Sequence, residues 1–308
     1  MPSISEIISM YIDLVASSVD SETLEHPDIR YIMHQLSRED FKAAEDRCLR
    51  RIQNYGDDVF TWALVGLSRM LQAEVKDAGK ALQRAALLDP DSLLVKNLMG
   101  DYLCCAGKET DGEALYYQSL SIDESQTHPR KMMYFQFMAR NEYLQALDMT
   151  IPILHTHPED ENTWTSIRTA VAMMGSYDYA EEVAESLTKE FREQHRAWHF
   201  KAHVFLATKK YSDAKRAAKR AIELKPNDGE NWNMLGTILN MIGKHSGAIK
   251  CQRKAVKLEP RNGMFLTSLA IALLKAGKRS ESQRIIGKAV KLDPESAIGL
   301  LQHMQGSV

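Results

Sequence analysis

Residues 231–260 read NWNMLGTILNMIGKHSGAIKCQRKAVKLEP, and five of them, Trp232, Gly236, Ala248, Ala255 and Pro260, recur along the chain at one fixed step, the step that separates Pro226 from Pro260. Pro226, Pro260 and Pro294 fall one step apart, and further steps back land on Arg192, Pro158, Glu124, Pro90 and Gly56, so five of these eight positions are proline. Trp232 steps back to Trp198 and Trp164 and, three steps before that, to Trp62. Gly236 maps to Gly100 and Gly66; Ala248 maps to Ala214, Ala180, Ala146, Ala78 and Ala44; Ala255 maps to Ala289, Ala221 and Ala85. One fixed period, with no insertion breaking its register, marks a stack of structural repeats.

Each position has a physical reason. A pair of antiparallel helices cannot bury its apolar face alone, so neighbouring pairs must stack into a continuous core. Trp232, Leu235 and Leu239 share one face of a helix by their spacings of three and four. Gly236 and Ala248 are small where the two helices cross, since a larger side chain there costs about 1–3 kcal/mol in overpacking. Gly243 and Lys244 take the turn. Pro260 ends the second helix because it lacks a donor and disfavours helical geometry in the residue before it. Composition agrees: with 44% hydrophobic and 26% charged residues, the 308-residue chain can bury a sizeable core. Aromatic residues are only 7%, there are 9 prolines, and Ala, Leu, Lys, Glu and Met recur, as in helices.

The pattern resembles the tetratricopeptide repeat, whose signature of Trp, Leu-Gly, a bulky apolar residue, Ala, Ala and Pro over about 34 residues is matched by WNMLGTIL at Trp232–Leu239, Ala248, Ala255 and Pro260. The resemblance covers residues 25–296, as eight repeats starting at Glu25, Val59, Leu93, Thr127, Glu161, His195, Gly229 and Gly263. The second, sixth, seventh and eighth match well, the fourth and fifth in part, and the first and third at scattered positions. It implies an all-α fold, a right-handed α-solenoid of antiparallel helix pairs. It also implies a non-enzymatic adaptor whose concave groove takes a peptide or helix of a protein partner.

In proteins that resemble this one, positions 2, 5, 9, 12 and 13 of each first helix face the groove. In the fourth to seventh repeats these give His128, Lys131 and Phe135; Asn162, Thr165 and Thr169; Arg196, His199 and His203; and Glu230, Asn233 and Thr237. Asn233 can hold an extended backbone through its paired donor and acceptor. Met132, Met138, Met173, Met234 and Met241 fall at groove positions too, where methionine suits adaptable apolar contacts, with ordinary packing as the plainer reading. The tryptophans read as core wedges. No three consecutive repeats supply the Lys, Asn and Arg set with which related domains clamp a chaperone's terminal carboxylate, so that function is not expected. Proteins of this kind serve secretion, pilus or flagellum assembly, envelope biogenesis, signalling and chaperoning, and no residue selects among them.

One constellation invites a chemical reading: His195, His199 and His203, spaced i, i+4, i+8. Two such histidines are a common metal pair. Three along one helix span about 12 Å, too far to grip one ion, and no His-Glu-x-x-His accompanies them. A hydrogen-bonding or pH-sensitive groove is the alternative, and His155 and His157 form a separate pair before Pro158. No phosphate-binding glycine loop, nucleophile elbow or acid and base pair is present. Catalytic residues, a metal and a cofactor are therefore not expected. Cys48, Cys104, Cys105 and Cys251 show no Cys-x-x-Cys spacing, which fits a reducing cytoplasm. No apolar run approaches the roughly 20 residues that span a membrane, and the N-terminus lacks the basic region of a secretory signal.

Charge is unevenly placed. Residues 195–308 hold 21 Lys or Arg against 8 Asp or Glu, while the preceding residues are net acidic and the whole chain is −2. Lys209, Lys210, Lys215, Arg216, Lys219, Arg220, Lys250, Arg253, Lys254 and Lys257 fall on second helices or the turn before them, the outer face. A solvated face is the plain reading. An acidic partner, or head-to-tail self-association through the basic C-terminal half, is the functional one. Nucleic acid ranks last, because exposed aromatics are not interleaved with the charges.

The ends complete the expectation. Ser3-x-x-Glu6 is a capping box, and with Ile4, Ile7, Ile8, Tyr11, Leu14 and Val15 it predicts a helix over residues 3–18, a cap (residues 1–24) covering the first repeat. Residues 297–308 form a short apolar end, with Ile298, Leu300, Leu301 and Met304 exposed for docking or continuation. Pro152 in the second helix of the fourth repeat predicts a change of curvature rather than a domain boundary.

Overall fold

The computed structural model describes residues 3–292, which form 18 α-helices and no strand. Pro294, Ile298, Leu300, Leu301 and Met304 lie outside the described residues. The chain divides into two compact units between His157 and Pro158. The division falls just past Pro152, which sits inside a helix and from which the sequence alone predicts only a bend.

The first unit opens with α1 (Ile4–Ser17) and the single-turn α2 (Ser21–Glu25). Helix pairs follow: α3 (Pro27–Ser37) with α4 (Phe41–Tyr55), α5 (Val59–Leu71) with α6 (Val75–Leu88), α7 (Leu93–Cys105) with α8 (Glu109–Ile122), and α9 (His128–Ala139) with α10 (Tyr143–Thr156). The second unit holds α11 (Glu161–Met174) with α12 (Tyr177–Glu190), α13 (His195–Ala207) with α14 (Tyr211–Leu224), α15 (Gly229–Met241) with α16 (His245–Leu258), and α17 (Gly263–Lys275) with α18 (Arg279–Leu292). The first helix of the first pair begins at Pro27 rather than Glu25. Proline is suited to the first helical position, and the His26 ring accepts from the Asp28 amide at 3.2 Å, so α2 stops and α3 restarts there.

Three backbone devices impose the period. Within every pair the chain reverses through one residue of positive φ, at Glu39, Ala73, Gly107, Asn141, Gly175, Lys209, Gly243 and Gly277, each one full period from the last. The left-handed conformation terminates the first helix, and glycine or asparagine adopts it most cheaply. Most first helices are then capped by a side chain, as where Asp58, Ser92, Asp228 and Asn262 accept from an amide of the first turn. Finally, the indole of Trp164, Trp198 and Trp232 donates to the carbonyl of Pro158, Arg192 and Pro226 at 2.7–2.8 Å. In these three pairs the ring ties the first helix to the loop that precedes it, whereas the Trp62 indole nitrogen is buried without such a carbonyl partner.

The small residues mark close approach. A Cβ on Gly66, Gly100 or Gly236 would lie 2.6 Å from the side chain of Leu82, Tyr116 or Gln252, in each case on the second helix of the same pair. Ala78, Ala85, Ala214, Ala221, Ala248 and Ala255 have no exposed surface. Gly100→Ala is expected to cost about 1–2 kcal/mol, because the Tyr116 ring is held by Asp101 and cannot step aside. Gly287→Ala, which meets nothing within 4 Å, should instead gain about 0.5–1 kcal/mol from helix propensity. Urea unfolding of both variants checks the contrast.

Helix α1 carries the capping box: the Ser3 hydroxyl accepts from the Glu6 amide, and the Glu6 carboxylate accepts from the Ser3 amide. Its Ile8, Tyr11, Leu14 and Val15 are buried while Ile4 is exposed. It packs on α3 and also on α9, so it does more than cover the first pair. No helix among the described residues is long and apolar enough to cross a membrane.

Candidate functional site

In the second unit the first helices α11, α13 and α15 present neighbouring faces. Arg196 on α13 donates to Glu161 on α11 at 3.2 Å, and a network around Asn231 ties α13 to α15. Asn231 Nδ2 donates to the Ala221 carbonyl at 3.2 Å, which fixes the orientation of the amide. Its Oδ1 then accepts from His199 Nδ1 at 3.1 Å, and its Nδ2 donates to His195 Nδ1 at 3.2 Å. A neutral His195 must therefore carry its proton on Nε2, a buried atom with no partner. Arg196 Nε is likewise buried and unpartnered.

Both atoms belong to residues lining one pocket, whose walls include Trp164, Thr165 and Arg168 of α11, His199 of α13, and Glu230 of α15. Burial holds the His195 and His199 imidazoles below the ordinary histidine range, with Asp228 opposing at His195 and the Asn231 bond opposing at His199. Burial raises the Glu230 carboxyl, helped by Asp228 and Glu161 and opposed by Arg196 and Arg168. Near neutral pH the pocket thus offers neutral N–H donors beside two guanidinium groups. Such a set binds carbonyl and carboxylate oxygens.

The histidine shifts fix a pH dependence. A group whose folded pKa lies below its ordinary 6.5 contributes stability that is present above about pH 6.5 and is lost as pH falls through the folded value. Glu230, shifted upward, works in the opposite sense as pH falls toward 4.5. The melting temperature of the second unit should fall between pH 7.5 and 5.5. It should fall less in His195→Gln with His199→Gln. Tryptophan fluorescence follows it, since Trp164, Trp198 and Trp232 all lie in this unit.

The expected groove residues divide between the two units. Asn162, Thr165, Thr169 and His203 are exposed, and Arg196, His199, Glu230, Asn233 and Thr237 are half-buried, all in the second unit. Asn233 Oδ1 is buried without a partner, while Thr169 and Thr237 turn their hydroxyls back onto the carbonyls of Thr165 and Asn233. Lys131 and Phe135 are half-buried in the first unit. His128 is not a groove surface there: it is 5% exposed and its Nε2 lies 2.9 Å from Asp101 Oδ2. Met234 belongs to the core rather than the surface, whereas Met173 and Met241 are exposed and Met132 and Met138 half-buried. Arg168 and Asn231 were missed, and His195 entered only through the histidine stripe. Asn231 had a signal, because the same register position in the adjoining repeats holds Ala197 and Phe265.

The histidine stripe makes hydrogen bonds rather than a cluster, and among the described residues no group of three His, Cys, Asp or Glu could hold a metal ion. On the outer face, Lys210, Arg216, Arg220 and Arg253 are ion-paired with Glu181, Asp213, Glu193 and Glu281.

Stacked helix pairs that present polar side chains from successive first helices define a helical-repeat fold. Tetratricopeptide-repeat models match residues 195–228 and 217–250, so this stretch of the second unit carries tetratricopeptide repeats. Among solved structures it is similar to yeast Tom70, at 15% identity and a TM-score of 0.52 over 96% of this chain and 67% of that one. It is also similar to a tetratricopeptide-repeat protein of Thermus thermophilus, at 17% identity and a TM-score of 0.45 over 55% of this chain and 93% of that one. The first likeness concerns the fold alone. No curated protein matches the chain. Repeats of this family are typically protein-interaction modules.

Proposed function

We propose that the second unit binds an extended acidic segment of a protein partner across α11, α13 and α15. The observation that carries this reading is the pair of buried donors, His195 Nε2 and Arg196 Nε, which no group among the described residues satisfies and whose residues line one pocket. An unmade hydrogen bond at a buried donor costs about 1–3 kcal/mol, so a peptide carbonyl or carboxylate that supplies the acceptor recovers it. Arg168 adds attraction for acidic side chains, and Asn233 and Thr165 lie along the same first helices. The scaffold holds these groups in place, which leaves the flexible ligand to supply most of the ordering cost.

Self-association through the basic outer face has less support, since several of its cations are already paired within the unit. Four cysteines without a disulfide favour a cytoplasmic location. The test is an array of 12-residue peptides of graded acidity, read by fluorescence polarisation. Acidic peptides should bind, and Arg196→Glu should weaken them roughly ten-fold or more. Binding indifferent to acidity, or to the substitution, contradicts the assignment.

A further inference from the structure

We propose that α1 is a displaceable ligand of the first unit, and that the face it covers is a binding site for a partner's amphipathic helix carrying the same apolar and tyrosine spacing as Ile8, Tyr11, Leu14 and Val15. This concerns a different unit from the acidic-peptide site and stands independently of it.

The starting observation is a difference between equivalent positions. In the second unit, groove positions such as Asn162, Thr165, Thr169 and His203 are exposed. In the first unit none of the same register positions of α5, α7 and α9 is exposed: Ala63, Leu67, Leu94, Asn97, Asp101 and His128 are buried, and Phe60, Lys131 and Phe135 are half-buried. α1 is positioned to cover this face: it packs on α3 and α9, and its Tyr11 ring stands 5.4 Å from the His128 ring. Burial and the nearby Asp101 carboxylate of α7 push the Tyr11 phenol well above its ordinary range, so the ring that packs on His128 of α9 also faces a polar group of this face that can accept from it. Leu14 and Val15 join the apolar cluster that includes Ile29, Leu64 and Leu98. A single amphipathic helix, seated by one apolar stripe and one polar anchor, is how a groove takes a helical ligand.

Two features mark α1 as an occupant that can leave. The bonds of Ser3, Glu6, Ser17 and Ser18 close on α1 itself, which leaves the Tyr11 contact as its polar link to this face. His128 Nδ1 is buried without a partner while α1 is in place. A partner helix that brings a polar group to that nitrogen, together with a phenol for Asp101, fits the face better than α1 does.

Two measurements test the proposal. Hydrogen exchange on the wild-type chain should show α1 amides exchanging as a group before those of α5 and α7. α1 amides protected for as long as α5 and α7 would overturn displacement, because the helix would then open only with the whole unit. A labelled peptide of residues 3–18 should bind a full-length Ile8→Asp, Tyr11→Ala variant whose helical content matches wild type. It should bind the wild type far more weakly, and a peptide with Tyr11→Phe should bind the variant roughly ten-fold more weakly. A folded variant that ignores the peptide overturns the binding site. If the variant loses helical content, the exchange order decides alone.

Discussion

Asp101→Ala should destabilise the first unit by about 3–5 kcal/mol, the cost of leaving buried hydrogen-bonding partners without their acceptor. The Asp101 carboxyl is wholly enclosed. One oxygen accepts from the Tyr116 hydroxyl at 2.5 Å and the other lies 2.9 Å from His128 Nε2, so the side chain ties α7 to α8 and to α9. Tyr11 of α1 lies near it. Alanine strands Tyr116 and His128 and opens a void between α7, α8 and α9. Asp101→Asn keeps the shape and one acceptor, and should lose less. Hydrogen exchange of α7 and α9, with urea unfolding, reads both variants. A loss under about 1 kcal/mol for Asp101→Ala would mean that the cluster contributes little.

Phe265→Ala should cost the second unit about 3–5 kcal/mol, the usual range for removing a buried aromatic side chain. Phe265 has no exposed surface, and it fills the notch above Gly229, where an added Cβ would lie 2.6 Å from its ring. It therefore locks α17 to the start of α15. In a repeat stack each pair is stabilised chiefly by its neighbours, so the effect should concentrate in α17 and α18. Unfolding in two steps, with α17 and α18 exchanging first, is the expected signature. A single cooperative transition with uniformly faster exchange would contradict nearest-neighbour stabilisation.

Much of this fold is legible in the sequence because its period is written in backbone chemistry. A left-handed turn returns once per period and is filled by glycine or asparagine in five of eight pairs, while small residues at the crossing and, in three pairs, tryptophan tied to the preceding loop answer further local requirements. The start of α3 departed from the period because Pro27 and His26 set it locally. The site was legible in part. Arg196, His199 and Glu230 came from register alone, since register says which way a first-helix side chain points. His128 shows the limit of that rule. Its position faces inward as expected, but α1 lies over it, and a pattern read along one strand of sequence cannot say what another segment covers. Asn231 escaped, and the partner of His195 stayed unread, for a related reason, because the bond between them joins residues 36 apart in sequence.

Photo-crosslinking in the native cell tests the interaction face most directly. With a benzoylphenylalanine at Thr165 or His203, both exposed on the first helices, a protein partner should be captured, and an excess of acidic peptide should abolish the product. The same probe at Lys219 or Lys250, exposed on α14 and α16, should yield none. Products from the outer positions, with nothing from Thr165 or His203, would place recognition on the basic face and contradict the assignment of the pocket.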